Sequence, residues 1–260
     1  GRGALPAGRR VSDETFVRRI YLDLAGRIPT YEETQEFLGD SHPRRRSNLI
    51  DALLDAESYP QHFYNFWADL LRVKTRIGGG LGPVGTVYAD WIKNALRDNM
   101  PYDVMVRELL AAKGALWAED NGALGYYFRD RGMPLDNMAN TVRVFLGTRI
   151  ECAQCHDHPF DTWTRRDFFE MAAFTSGQGN LTLGAFKETQ KEIRRLSAES
   201  EFNREQLRVA RPLFNALGAG LDNTGNGKIL LPDDYQYDDA SPKDPIAAKP
   251  LFGNSQNNTM

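Results

Sequence analysis

The sequence predicts a mainly α-helical fold: an irregular multi-helix body with little β structure, followed by a loop-rich C-terminal tail. Three observations carry this reading. Over the first three-quarters of the chain, apolar residues recur at three- and four-residue spacing between capping residues and glycines. Both cysteines of the 260-residue chain fall in one run, Cys152-Ala153-Gln154-Cys155-His156, inside the helical part. Beyond Gly218 the composition turns to Gly, Pro, Asn and Asp, and helical periodicity stops.

Taken in order, Ser12 caps a first helix that carries Phe16, Ile20 and Leu24 on one face and ends at Gly26. Thr30-Tyr31-Glu32-Glu33 is a capping-box pattern for a short helix stopping at Gly39. Pro43 suits the first position of a third helix with Leu49, Ile50, Leu53 and Leu54. An aromatic-rich helix from Pro60 to Lys74 aligns Phe63, Phe66, Trp67, Leu70 and Leu71. Gly78 to Pro83 reads as a connection, because it lacks the lysine and Ser/Thr of a phosphate loop. Helices follow over Val87–Arg97 and Tyr102–Leu110, then a loop-rich stretch from Gly114 to Pro134. A helix over Leu135–Phe145 aligns Met138, Val142 and Phe145 and stops at Gly147, and Thr164 caps another with Phe168, Met171 and Ala172. The charged pattern from Lys187 to Ala216 predicts a protruding helical hairpin broken at Pro212. The expected organisation is therefore a helical domain over 1–217, with the hairpin at 187–216, and an extended tail over 218–260 whose one strand is Lys228–Leu231.

A hydrophobic fraction of 41 % with 26 % charged residues is that of an ordinary globular chain, large enough to bury a core. A net charge of −3 points to no nucleic-acid or anionic-membrane partner. No apolar stretch approaches the ~20 residues of a membrane span. The start at Gly1, with no methionine or apolar leader, reads as a mature or trimmed chain.

The cysteine run has the order that covalent c-type haem attachment requires. Two thiols at this spacing can bond the two vinyl groups of one haem, and the next residue carries an imidazole under the iron. A redox dithiol would need a βαβ setting, which the helical pattern does not offer. A zinc site would have to share one tetrahedral metal between adjacent Cys155 and His156, without a second ligand pair. A disulfide across two residues would close a strained ring and add little stability. One covalent haem c is the expectation, with Cys152 and Cys155 as attachments and His156 as proximal iron ligand. Such haem is attached outside the cytoplasmic membrane, so a periplasmic or extracellular location is expected.

The second axial ligand is open between His62, on the edge of the aromatic stripe, and Met138, with Met133 a further alternative. His158 reads as a supporting neighbour and His42 as a surface residue. Arg149 and Arg165 flank the motif, as do Arg143 and Arg166; they can pair with haem propionates or form a solvated basic face. Phe160 and Trp163 can pack on the porphyrin edge or in an ordinary core. A weaker metal reading concerns calcium: Asp222-Asn223-Thr224-Gly225-Asn226-Gly227-Lys228-Ile229 with Asp233 approaches calcium-loop spacing. A turn feeding a short strand explains the same residues.

The run continues as Cys155-His156-Asp157-His158-Pro159-Phe160-Asp161, then Trp163. With Phe16 to Thr30, Phe66 to Arg72, Val144 to Gly147 and the ending from Leu231 to Gly253, it resembles the planctomycete-type cytochrome c-associated domain. That is a family of unknown function found in large secreted bacterial proteins. The resemblance implies a haem-bearing extracytoplasmic domain, often followed by another domain. The functional expectation is electron transfer with an unidentified redox protein. Two alternatives stand beside it: a haem-stapled structural or interaction module, through self-assembly or a further domain, and a haem enzyme or sensor with an open distal site.

Overall fold

The fold is that of a computed structural model, which describes residues 10–74, 84–118, 120–130, 133–178, 181–184, 217–222 and 225–253, with isolated positions between 186 and 209. It is mainly helical, with nine α-helices and four very short strands among the described residues. The chain forms two compact units. The first takes the residues up to Asp69 and Ile92–Met100; the second takes Leu70–Trp91 and everything from Pro101 onward. Both sides of the expected 217/218 boundary therefore lie in the second unit.

In the first unit, α1 (Asp13–Ala25) begins as its cap predicts, with Ser12 Oγ accepting from the Thr15 N–H, and ends at Gly26 with φ +68°. Only a glycine tolerates both that dihedral and the approach of His62, whose Nδ1 would lie 2.3 Å from an added Cβ. Helix α2 (Tyr31–Gly39) has the full capping box: Thr30 accepts from the Glu33 N–H while Glu33 reaches back to the Thr30 N–H. Helix α3 (Arg45–Asp55) begins two residues after Pro43, with Arg44 at the cap and no side-chain cap bond. The expected Pro43 start is thus corrected: Pro43 lies in the preceding turn. Val17, Tyr21, Phe37 and Leu53 form the core, and Phe16, Ile20 and Leu24 pack around it.

Helix α4 (Ser58–Leu70) ends earlier than the apolar stripe predicts. Arg72 follows it with φ +54°, a left-handed conformation that breaks the helix. The stripe itself splits, since Leu71 is fully buried and Phe66 is 60 % exposed. The glycine-rich connection over 78–83 lies outside the described residues.

Helix α5 (Val84–Arg97) spans the division between the units, and α6 (Tyr102–Ala111) follows in the second. The stretch expected as a loop after Gly114 is largely structured. Strand β1 (Gly114–Ala115) leads to a 3-10 turn at Gly122–Leu124 and a short helix α7 (Gly125–Phe128), all of whose residues are buried. Close backbone approach makes this possible. Gly122 and Gly125 sit against Trp91 and Tyr88 of α5, where added Cβ atoms would lie 2.5 and 2.3 Å from the nearest atoms. Periodicity missed the segment because packing, not an amphipathic face, builds it.

Helix α8 (Pro134–Thr141) runs into a π-helical turn, Val142–Leu146, ended by Gly147 at φ +69°. The cysteine motif follows on a 3-10 turn, Glu151–Gln154, and then α9 (Arg165–Ala172) with a Thr164–Asp167 capping box. Strand β2 (Gly220–Leu221) pairs antiparallel with β1, and β3 (Lys228–Leu230) with β4 (Pro245–Ala247). The tail is irregular but not loosely attached. Its Leu231, Tyr235 and Ile246 join Met138, Ile150, Ala153 and Phe168 in the core of this unit. The hairpin expected over 187–216 lies outside the described residues except at isolated positions.

Candidate functional site

A 3-10 turn stacks side chains three apart on one side, and the motif uses that geometry. The Cys155 and His156 N–H groups both donate to the Cys152 carbonyl, at 3.3 and 3.4 Å, and the Ala153 N–H donates to Ile150 at 2.9 Å. Ala153 turns into the core and Ile150 is fully buried, so the turn is anchored from beneath. Cys152 and Cys155 are left exposed and free, three positions apart along the turn.

His156 is exposed, with Nδ1 2.7 Å from the Asp157 carbonyl oxygen. A carbonyl only accepts, so Nδ1 carries the proton and the Nε2 lone pair of the neutral ring is available to a metal. The adjoining backbone is held from two directions. The Asp157 N–H donates to Tyr237 Oη at 2.8 Å, and Asp157 Oδ1 accepts from the Arg165 N–H at 2.8 Å. These residues fit a c-type haem: two free thiols, and an imidazole whose orienting bond leaves its ligating nitrogen free.

Arg165 is only 3 % exposed. Its guanidinium donates to the Gln154 carbonyl at 3.1 Å and to Asp234 Oδ1 at 2.6 Å, and lies 5.5 Å from the Tyr235 ring centre. The solvated or propionate-pairing role expected for Arg165 is corrected accordingly: it clamps the motif to the tail. The Tyr235 hydroxyl donates to Asp239 at 2.8 Å. Burial, together with that carboxylate, raises its pKa, so the phenol stays protonated. For Asp239, bonds from Tyr235 and Arg166 outweigh a desolvation that acts the other way, and its pKa is lowered. Sequence reading missed the tail's part in this site because Tyr237 and Asp234 stand some 70–80 positions downstream of the residues they hold, and no local pattern links them to the cysteine run.

A cleft of about 730 Å³ opens beside Cys152, within the size range of ligand sites. Arg149, His158 and Phe160 line it, with Asn140 and Arg143 from α8 and the π turn, and Arg72 from the end of α4. His158 Nδ1 accepts from the Phe160 N–H at 3.2 Å, so the neutral ring carries its proton on Nε2. Phe160 is 93 % exposed, in contrast to a packed core position. Trp163 donates from Nε1 to Thr148 Oγ1 at 3.1 Å and meets Phe252 edge-on at 5.3 Å, packed against the core.

Of the distal-ligand candidates, Met138 does not line this cleft. Met138 is 2 % exposed, sits in the core and lines a different, apolar cavity of about 460 Å³. His62 belongs to the first unit, half-buried beside Phe63 at a 5.3 Å ring separation. Met133 is half exposed and His42 lies in a polar turn. At the calcium-like loop, Asp222 accepts from the Gly184 N–H and Asp233 pairs with Lys243 at 3.1 Å. Positions 223 and 224 lie outside the described residues, among which no group of three or more His, Cys, Asp or Glu is placed to hold a metal ion. No described helix is long and apolar enough to cross a membrane.

Fold and site together define a mainly helical domain that displays a Cys-x-x-Cys-His turn at its surface, braced from behind by its own C-terminal residues. The chain belongs to the PSCyt2 family, described as a protein of unknown function (DUF1549), which matches residues 3–179. That span includes the opening motif, the motif ending at Arg72 and the cysteine run; the ending from Leu231 to Gly253 lies beyond it. No curated protein and no solved structure matches the chain.

Proposed function

We propose that this chain is a single-haem c-type cytochrome domain that transfers electrons in an extracytoplasmic compartment. The observation that carries the reading is the hydrogen bond from His156 Nδ1 to the Asp157 carbonyl, which frees Nε2 beside two free thiols on one turn. Cys152 and Cys155 would hold the cofactor through thioether bonds and His156 would ligate its iron. When bound, haem supplies a one-electron iron couple whose potential follows axial ligation, burial and nearby charge. The chain's own part is to fix the imidazole plane through Asp157, Tyr237 and Arg165 and to keep the attachment turn at the surface, within reach of a redox partner.

The test is a pyridine haemochrome assay on protein matured by a c-type haem ligation system. One haem per chain is expected, lost in the Cys152→Ser, Cys155→Ser double variant. Absence of covalent haem from the parent protein after such maturation overturns the proposal. The burial of Met138 in the core favours a second reading, an iron with an open sixth position that binds small ligands. A high-spin spectrum with ready carbon monoxide binding supports that version, and a low-spin spectrum that resists it supports electron transfer alone.

A further inference from the structure

The apolar cavity of about 460 Å³ lies wholly within the second unit and has the size of a small-molecule pocket. Its lining runs from Met138 in the core to Phe252, which is 53 % exposed, so it has a buried end and an open one. Four exposed large apolar side chains meet around it. They are Leu110 from α6, Leu146 from the π turn, Phe174 from the 3-10 turn that follows α9, and Phe252 from the tail. Exposed apolar residues scattered singly need no explanation, but several gathered on one concave surface mark a binding site.

The chemistry of the lining selects the ligand. Among the described residues, no carboxylate, ammonium, guanidinium or imidazole group lines the cavity. Burial pushes the Tyr127 phenol up, so it too is uncharged at neutral pH. The donors present are engaged inside the protein. Tyr127 donates to the Leu110 carbonyl at 2.6 Å, Thr141 to that of Asn137 at 2.7 Å, and Thr175 to that of Ala172 at 2.7 Å. Asn137 Nδ2 donates to the Tyr126 carbonyl and to Asp130, both at 3.0 Å. An anion would therefore give up water without gaining a donor or a counter-charge. Met138 and Met171, unbranched and polarizable, suit both aliphatic and aromatic shapes. We infer that this cavity is a binding site for a small, neutral, apolar molecule, held by burial of its surface. The walls come from four separate stretches of chain around a depth that reaches the core, which fits an enclosed small molecule better than a flat protein face. The inference stands independently of the haem reading.

The test titrates 1-octanol into the full chain with reduced cysteines, followed by calorimetry and by NMR of methyl-labelled methionines. One saturable site is expected, with Met171 shifting and Met133, which does not line the cavity, unmoved. From 1-butanol through 1-hexanol to 1-octanol, affinity should rise about tenfold for each two carbons, the worth of the added buried methylenes. Ionised octanoate, at matched ionic strength, should bind about tenfold or more weakly than 1-octanol. Phe174→Ser and Leu146→Ser remove apolar wall at positions 46 % and 44 % exposed. Each should weaken 1-octanol about fivefold, with unchanged circular dichroism and thermal midpoint, which separates lost binding from lost folding. No saturable binding, equal shifts at Met133 and Met171, octanoate binding as tightly as 1-octanol, or folded variants that bind like the parent would each overturn the inference. The cavity is not the cleft beside Cys152, so a haemochrome assay that finds no haem leaves this result standing.

Discussion

His156 and Arg165 show how much of this site rests on single hydrogen bonds with only one possible direction. The Asp157 carbonyl fixes which nitrogen of His156 is protonated, and the backbone presenting that carbonyl is itself tied down by Tyr237 and Arg165. Tyr237→Phe should therefore cost about 1 kcal/mol in urea unfolding, the worth of one hydrogen bond. Arg165→Ala should cost more, about 3 kcal/mol, because it strands the Gln154 carbonyl and removes packing from Tyr235 and Phe169. Equal destabilisation by the two substitutions would contradict the clamp assigned to Arg165. At this scale the sequence named Cys152, Cys155 and His156 directly, since their chemistry is carried by adjacent positions. It did not single out Arg165, whose part in the site comes from a distant residue, Asp234.

At the scale of elements, caps and glycines decide where helices start and stop. Gly147 ends the π turn at φ +69° with open space around its Cα, so Gly147→Ala should cost only backbone strain, about 1 kcal/mol. Gly125→Ala should cost about 3 kcal/mol or more, because the methyl group would collide with Tyr88. Thermal unfolding of the two variants should rank them in that order. Arg27 donates to both oxygens of Glu33 at 2.7 Å, and together with the Thr30 N–H this holds the Glu33 carboxyl down to about 2 from its usual 4.5. A carboxyl depressed by folding stabilises above its ordinary value, so this contribution is present above pH 4.5 and is lost as pH falls from there toward 2. Glu33→Gln should flatten the acid-stability curve in that window and lower stability at neutral pH by about 1 kcal/mol. The caps at Ser12, Thr30 and Thr164 were legible because capping is local. Helix α7 was not, because its burial against α5 depends on residues more than 30 positions away.

For the molecule as a whole, the packing of the tail matters most. Leu231, Tyr235 and Ile246 are buried in the core beneath the cysteine turn, and burial of each side chain contributes roughly 1.5–3 kcal/mol. Their sum, about 6 kcal/mol, is comparable with the entire stability of a typical domain. A chain ending at residue 217 should accordingly lose the cooperative transition reported by Trp163 fluorescence; a transition like that of the full chain would mean that the tail is dispensable. By itself the sequence determined the helical class, most helix boundaries and the three residues proposed to hold a haem, because periodicity, capping and a five-residue motif are read over short spans. Only the tertiary structure decided that Arg165 is a buried clamp, that Met138 is core, and that Arg72 and Asn140 share a cleft with Cys152. Those facts depend on contacts between distant parts of the chain, which set burial and pairing and leave no local pattern.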